Sequence, residues 1–210
     1  MLKIKVCGIT NVEDALWAAN LGANYIGLNF YKGSPRKISN KMAKDILSKI
    51  PPFVKAIGVF VDEDMVVVKK VLKESALKTV QLHGSEDDSY IEELKKDGVE
   101  VFKAIRVRDE MSIEEVKHYS PFADFILLDA FKEGVPGGTG DVFNWDIALT
   151  VKELGVPFFL SGGLNPENIE EAIDKVAPYG VDVASGVERT PKKKDYEKMK
   201  DFIIKAKDLG

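Results

Sequence analysis

The stretch KIKVCGITNVEDALWAANLGANYIGLNF, residues 3–30, contains one complete strand–helix–strand unit. The segment KIKVCGI (3–9) is short and apolar and runs out into a glycine, which is typical of a strand. VEDALWAANLG (12–22) carries apolar residues at helical spacing, and YIGLNF (25–30) is a second strand candidate. This order predicts two parallel strands that are joined by a right-handed crossover.

The same alternation continues along the chain. Further strands are predicted at 54–60, 79–84, 101–107, 124–130, 157–163 and 181–186, and each of the eight strands is followed by an amphipathic segment. Eight such units predict an α/β fold of the (β/α)8 TIM-barrel class, with eight parallel strands surrounded by helices, as a single domain over residues 1–210. An open doubly wound sheet is the alternative, but the Gly-x-Gly-x-x-Gly turn that would support it is absent after strand 1.

The composition argues against several classes of function. The chain has 210 residues, a formal net charge of −4, one cysteine and two histidines. An acidic balance disfavours nucleic acid or an anionic membrane as the main partner, and no apolar run resembles a signal peptide or a membrane span. The basic run Lys192–Lys194 is expected to be a solvated approach to the last helix. We therefore expect a cytoplasmic protein without a disulfide or a metal site.

Cys7 is predicted to lie at the mouth of the barrel. Reactive side chains in this fold occupy the carboxyl ends of the strands, whatever the reaction. Alternation along strand 1 turns Lys3, Lys5 and Cys7 inward and Ile4 and Val6 outward onto the helices. A lone cysteine there is either a small packing residue or a reactive group, and the charge of Lys5 beneath it indicates a polar interior.

Strands 4 and 6 also present polar groups at their ends, in QLHG and LLDA. Gln81 and His83 share an inward face, and Asp129 is the last inward position of its strand. A carboxylate after the apolar run FILL is costly to bury unless it is paired or functional. The structural alternatives are a hydrogen-bonded histidine and a carboxylate that caps the following loop.

Glycine turns follow strands 7 and 8, in SGG (161–163) and ASG (184–186). Glycine lets backbone N–H groups approach an anion, and these two loops form the usual phosphate site of the fold. Asn165 and Pro166 are predicted to cap and open the next helix, which adds a favourable dipole. Plain tight turns are the alternative. The candidate binding residues are Gly162, Gly163, Ser185 and Gly186, with Asp182 as a further inward carboxylate.

Two longer loops flank the predicted mouth. FYKGSPRKIS, after strand 2, contains Arg36, and a guanidinium group suits bidentate recognition of a carboxylate or phosphate. FKEGVPGGTGDVFNW, after strand 6, is rich in glycine and is expected to be a mobile lid or linker.

Taken together, KVCGIT, QLHG, LLDA with a later GGTG, LSGGLNPENI and VDVASGVE resemble the signature segments of the phosphoribosylanthranilate isomerase family. They occur in order from Lys5 to Glu188, so the combination is specific although each motif alone is weak. The resemblance implies an Amadori rearrangement of N-(5-phosphoribosyl)anthranilate to 1-(2-carboxyphenylamino)-1-deoxyribulose 5-phosphate in tryptophan biosynthesis, without a cofactor.

The resemblance also implies roles for residues. Cys7 would be the general base, Asp129 the general acid and Arg36 the group that holds the anthranilate carboxylate, while the glycine turns hold the phosphate. A thiol, with an ordinary pKa of about 8.5, can act as a base if a nearby cation favours the thiolate, and Lys5 is the candidate. His83 and Asp182 are expected to contact the substrate. The expected partner is thus a phosphorylated small molecule, bound by a monomer or a homodimer.

Two other functions stay open at this point. Another phosphosugar isomerase or epimerase barrel is one, although metal-dependent epimerases need more histidines, and the related histidine-pathway isomerase has a carboxylate where this chain has Cys7. A non-catalytic phosphoribosyl-binding barrel is the other. It would keep the glycine turns but would not need both Cys7 and Asp129 at the mouth.

Overall fold

The computed structural model describes residues 1–130 and 145–209, without the side chain of residue 130. The glycine-rich loop predicted after strand 6 lies outside the described residues. The strands are β1 Lys3–Val6, β2 Tyr25–Asn29, β3 Lys55–Phe60, β4 Thr79–Leu82, β5 Glu100–Val107, β6 Phe125–Ala130, β7 Phe158–Leu160 and β8 Gly180–Val183. The helices are α1 Val12–Leu21, α2 Asn40–Leu47, α3 Met65–Ser75, α4 Asp88–Lys96, α5 Met111–Tyr119, α6 Trp145–Glu153, α7 Ile169–Val176 and α8 Tyr196–Asp208.

The eight strands form a closed barrel in which each strand pairs with the next along the chain. All of these pairings are parallel, and β1 closes the barrel against β8 with Lys5 in register with Asp182. This arrangement confirms the predicted TIM barrel. Because all of the strands are parallel, their carboxyl ends lie at one rim of the barrel.

The two faces of the strands differ as the alternation predicts. Ile4 and Val6 on β1 are buried in the apolar layer between strands and helices, whereas Lys5 is fully buried inside the barrel. The amino-terminal half of the interior is filled by a cluster of mostly aromatic side chains, the aromatic plug, in which Phe159 packs against Phe102 with ring centroids 5.2 Å apart. The plug consists of Tyr25, Ile57, Phe102, Ala104, Phe125, Leu127 and Phe159. The plug closes one end of the barrel, so that polar inward residues collect at the other.

Two local predictions are corrected by the structure. Asn165 does not cap α7, which begins at Ile169. Its side-chain oxygen instead accepts hydrogen bonds from the backbone N–H groups of Glu167 and Asn168, and so caps a turn that precedes the helix. Lys194 is not solvated but fully buried, because the segment after β8 folds into an antiparallel hairpin of β9 Glu188–Thr190 and β10 Lys193–Lys194.

We expect Phe159→Ala to destabilise the protein by about 3–5 kcal/mol, because the ring is fully buried in the plug and its removal leaves a cavity. Urea unfolding followed by circular dichroism measures the change. Val66→Ala, at a side chain that is 75% exposed, serves as the control and should change the free energy of unfolding by less than about 0.5 kcal/mol. Equal stability of the two variants would contradict the plug.

Candidate active site

A cavity of about 520 Å³ opens at the carboxyl ends of the strands. Its volume lies in the range of sites that bind small molecules. Each strand, or the residue directly after it, contributes at least one side chain to the lining. These residues include Cys7, Asn29, Val59, Gln81, Arg106, Asp129, Ser161 and Asp182. Except for Val59, these side chains are polar or ionisable, and together they form a polar ring that bounds the cavity above the aromatic plug.

Cys7 follows the last residue of β1 and is partly exposed in this cavity. Its backbone N–H donates to the carbonyl of Val183 at 2.8 Å, which extends the pairing with β8 by one residue. Gly27 on β2 lies beside it, and a methyl group there would approach the Cys7 Sγ to 2.6 Å. A glycine at position 27 thus leaves the space that the thiol needs.

An ion pair lies beneath Cys7. Lys5 Nζ is 2.9 Å from Asp182 Oδ1, and the two side chains are 0% and 5% exposed. Ser161 Oγ donates to the other carboxylate oxygen at 3.3 Å. Asp182, predicted to contact the substrate, lines the cavity but has both oxygens engaged within the protein. Burial alone would lower the pKa of Lys5, but the Asp182 carboxylate and the Cys7 sulfur outweigh burial and raise it, so Lys5 stays a cation.

The charges around Cys7 act in opposite directions. Burial raises the pKa of the Cys7 thiol most strongly, the Lys5 ammonium group lowers it, and the Asp182 carboxylate raises it. The net direction is upward, so the thiol is the resting form at neutral pH. Among the groups that favour the thiolate, the Lys5 ammonium group has the largest effect, and Lys194 adds a smaller one.

Asp129 on β6 lies next to His83, which directly follows β4. Asp129 is 3% exposed, and its Oδ2 lies 3.2 Å from His83 Nε2. His83 Nδ1 lies 3.2 Å from the side-chain amide of Gln81. Within the described residues, Gln81 Oε1 and His83 Nε2 are both buried without a hydrogen bond. His83 Nε2 therefore faces the Asp129 carboxyl group, while Nδ1 faces the Gln81 amide.

The two glycine turns lie together at the rim. Gly162 and Gly163 have φ values of 87° and 71°, and both line the cavity together with Ser185. Gly186 lies behind the lining, where a side chain would collide with the carbonyl of Leu164. The structure therefore places three of the predicted anion-binding residues on the cavity, and the fourth packs one turn against the other.

Arg36 lies in the loop after β2 and also lines the cavity. Its guanidinium group makes two hydrogen bonds of 2.7 Å to the carboxylate of Glu188 on β9. These bonds hold the pKa of Arg36 above its ordinary value, so it is always a cation. Arg36 therefore lies at the site as an ion pair with Glu188, a residue from the carboxyl-terminal part of the chain.

Three residues of the site were not assigned from the sequence. Asn29 lines the cavity, and its Oδ1 accepts from the N–H of Tyr31, which shapes the start of the Arg36 loop. Arg106 lies in register with Asp129 on the neighbouring strand. Alternation along β5 would have identified it as an inward residue. No local sequence pattern identifies Glu188, because its partner Arg36 is 152 residues away in the sequence.

Metal and membrane features are absent from residues 1–130 and 145–209. No group of three or more His, Cys, Asp or Glu side chains in these ranges could hold a metal ion. None of the helices in them has both the length and the apolar character to cross a membrane.

Comparisons with known proteins point to one family. The family model described as N-(5'phosphoribosyl)anthranilate (PRA) isomerase matches residues 4–205. The N-(5'-phosphoribosyl)anthranilate isomerase of Geobacter metallireducens is 43% identical over 207 residues, which is 99% of this chain and 100% of the relative. The enzyme of the same name from Pelobacter propionicus is 45% identical over 208 residues, 99% of this chain and 97% of the relative.

Solved structures give the same result. The crystal structure of phosphoribosyl anthranilate isomerase from Thermotoga maritima is 41% identical, covers 100% of both chains and has a TM-score of 0.92. A crystal structure of phosphoribosyl anthranilate isomerase in complex with reduced 1-(o-carboxyphenylamino)-1-deoxyribulose 5-phosphate is also 41% identical over 100% of both chains, with a TM-score of 0.89.

The charges around Cys7 predict opposite effects for two variants. Cys7 is the only cysteine, so the rate of alkylation by iodoacetamide reports this thiol alone. We expect Asp182→Asn to shift the pH midpoint of alkylation downward, because a negative charge beside the thiolate is lost. Lys5→Met should shift the midpoint upward, because the stabilising cation is lost.

Lys55→Met is the matched control for this experiment, since Lys55 is half exposed and pairs with Glu100 at the amino ends of the strands. Its midpoint should equal that of the wild type. Midpoints in Asp182→Asn and Lys5→Met that both match the wild type, in variants with a native circular dichroism spectrum, would contradict the assignment.

Proposed function

The chain belongs to the N-(5'-phosphoribosyl)anthranilate isomerase family, and we propose that Cys7 and Asp129 catalyse the family's reaction in the cavity at the barrel mouth. The family model and the relatives confirm the resemblance found in the sequence motifs. The reaction is an aldose–ketose isomerisation of N-(5-phosphoribosyl)anthranilate to 1-(2-carboxyphenylamino)-1-deoxyribulose 5-phosphate, a step of tryptophan biosynthesis. The observation that carries the proposal is a thiol and a carboxyl that face one cavity from β1 and β6, three strands apart around the barrel.

The first step opens the ribose ring. Asp129 donates a proton to the ring oxygen, the bond between this oxygen and C1′ breaks, and the nitrogen lone pair forms an iminium ion. Asp129 suits this role because it is nearly excluded from water and faces a histidine nitrogen that makes no hydrogen bond among the described residues.

The second step moves a proton from C2′. In the fraction of the enzyme in which Cys7 has lost its proton to solvent, the thiolate removes the C2′ proton, and the electron pair forms a C1′–C2′ double bond and neutralises the iminium nitrogen. The resulting enolamine tautomerises to the ketose. Lys5 supports this step because its ammonium group stabilises the thiolate from below. Exchange with solvent then restores the proton on Asp129 and removes the one on Cys7, so the reaction moves only protons and electron pairs and we expect no cofactor.

Two anchors hold the substrate between acid and base. The backbone N–H groups at Gly162, Gly163 and Ser185 suit the phosphate, since they line the cavity at the two glycine turns. Arg36 suits the anthranilate carboxylate. A family member 41% identical to this chain has been crystallised with a reduced, phosphorylated form of the product, which supports a phosphorylated small molecule as the ligand.

The remaining expectations concern the whole molecule. We infer that residues 1–210 act as one domain in the cytoplasm, as a monomer or a homodimer. Analytical ultracentrifugation at assay concentration distinguishes the two states.

Cys7→Ser and Asp129→Asn test the acid–base assignment. Each should lower kcat by about 10²- to 10⁴-fold, because each removes one of the two proton-transfer groups. The fluorescence of phosphoribosylanthranilate follows the reaction, and the circular dichroism spectrum should stay native. His118→Asn, at an exposed histidine outside the cavity, is the control and should retain wild-type kcat.

Wild-type turnover by Cys7→Ala would overturn the role of the thiol. A wild-type protein that binds the reduced product tightly but does not turn over the substrate would instead support the non-catalytic binding barrel.

A further inference from the structure

Glu188 occupies one complete edge of the Arg36 guanidinium group. Arg36 Nε donates to Oε1 and Nη2 donates to Oε2, both at 2.7 Å. The two side chains are 15% and 5% exposed, so the pair is largely shielded from water. A guanidinium group has five N–H donors, and two of them are used here. Three remain on Nη1 and Nη2, and two of them, one from each nitrogen, form the edge that is suited to a second carboxylate.

Glu188 is itself fixed from behind. Lys194 on β10 is fully buried, and its Nζ lies 3.1 Å from Glu188 Oε1 and donates to the carbonyl of Ala184 at 2.8 Å. The backbone N–H of Lys194 donates to Asp14 on α1 at 2.9 Å. Burial tends to raise the pKa of Glu188, but the hydrogen bond from Arg36 and the charge of Lys194 outweigh burial and lower it. The carboxylate is therefore ionised and held in one place.

Burial lowers the pKa of Lys194 itself, so what Lys194 supplies to the group is above all its fixed contacts with Glu188 and Ala184. Arg36 lies directly against Gly8, the residue after Cys7, which places Arg36 next to the proposed base.

We propose that Glu188 is a positioning residue that aims Arg36 at the carboxylate of the substrate's aromatic ring. Glu188 binds the Nε–Nη2 edge and thereby turns the Nη1–Nη2 edge toward the cavity, and Lys194 keeps Glu188 in place. The proposal rests on the proposed function, since it names the residues that make Arg36 selective for a carboxylate-bearing aromatic substrate.

A pair of substrates separates positioning from a purely structural role. The natural substrate carries the ring carboxylate, and N-(5-phosphoribosyl)aniline lacks it. Glu188→Gln should raise KM for the natural substrate by about 10- to 100-fold and change kcat little, because a misplaced guanidinium group loses the carboxylate but not the reacting atoms. With the aniline compound, for which Arg36 has no carboxylate to bind, the same variant should show wild-type kcat/KM within about twofold.

Two further variants complete the comparison. Glu100→Gln is the matched control, because Glu100 forms an ion pair with Lys55 outside the cavity, and it should behave as wild type on both substrates. Arg36→Met combined with Glu188→Gln should bind the natural substrate no more weakly than Arg36→Met alone, since Glu188 is proposed to act only through Arg36. If Glu188→Gln does not fold, Glu188→Asp keeps the charge, shortens the reach and undergoes the same comparison.

An equal loss of kcat/KM on both substrates, or no change on the natural one, would overturn the proposal. A failure of the proposed function is recognised separately, because the wild type would then turn over neither substrate.

Discussion

The ion pair between Lys5 and Asp182 is the interaction on which the rest of the site depends. The two residues are register partners at the seam where β1 meets β8 and the barrel closes. The pair is 2.9 Å apart and excluded from water, so the loss of either partner would leave a buried charge without compensation. Because Cys7 follows two residues after Lys5, the same contact that joins the seam also places a cation under the thiol.

The position of the polar ring is set by the β1–β8 seam and by the aromatic plug below the ring. Aromatic side chains fill the amino-terminal half of the interior, so inward residues near the carboxyl ends face a cavity and not a packed core. Cys7 and Asp129 are two such residues, and the glycine turns after β7 and β8 extend the rim. The barrel thus supplies proton transfer from its strands and anion binding from its loops, which is the usual division in this fold.

Periodicity explains what could be predicted from the sequence. Alternation with period two placed Lys5, Cys7, His83 and Asp129 inward, and the regular exchange of strands and helices indicated the barrel. Contacts between distant segments left no such pattern. Lys194 stood in a basic run that looked solvated, and only the hairpin that brings it to Glu188 and Ala184 buries it. The loop predicted after strand 6 stays a prediction, since residues 131–144 lie outside the described part of the chain.

We expect the side chains of this cavity to isomerise phosphoribosylanthranilate without help from any added group. The most direct measurement adds purified protein to phosphoribosylanthranilate in the presence of EDTA and without any cofactor, and follows the loss of substrate fluorescence. We expect rapid loss with stoichiometric formation of 1-(2-carboxyphenylamino)-1-deoxyribulose 5-phosphate. A rate no greater than that of the spontaneous decay of the substrate, or a rate that depends on an added metal ion, would contradict this expectation.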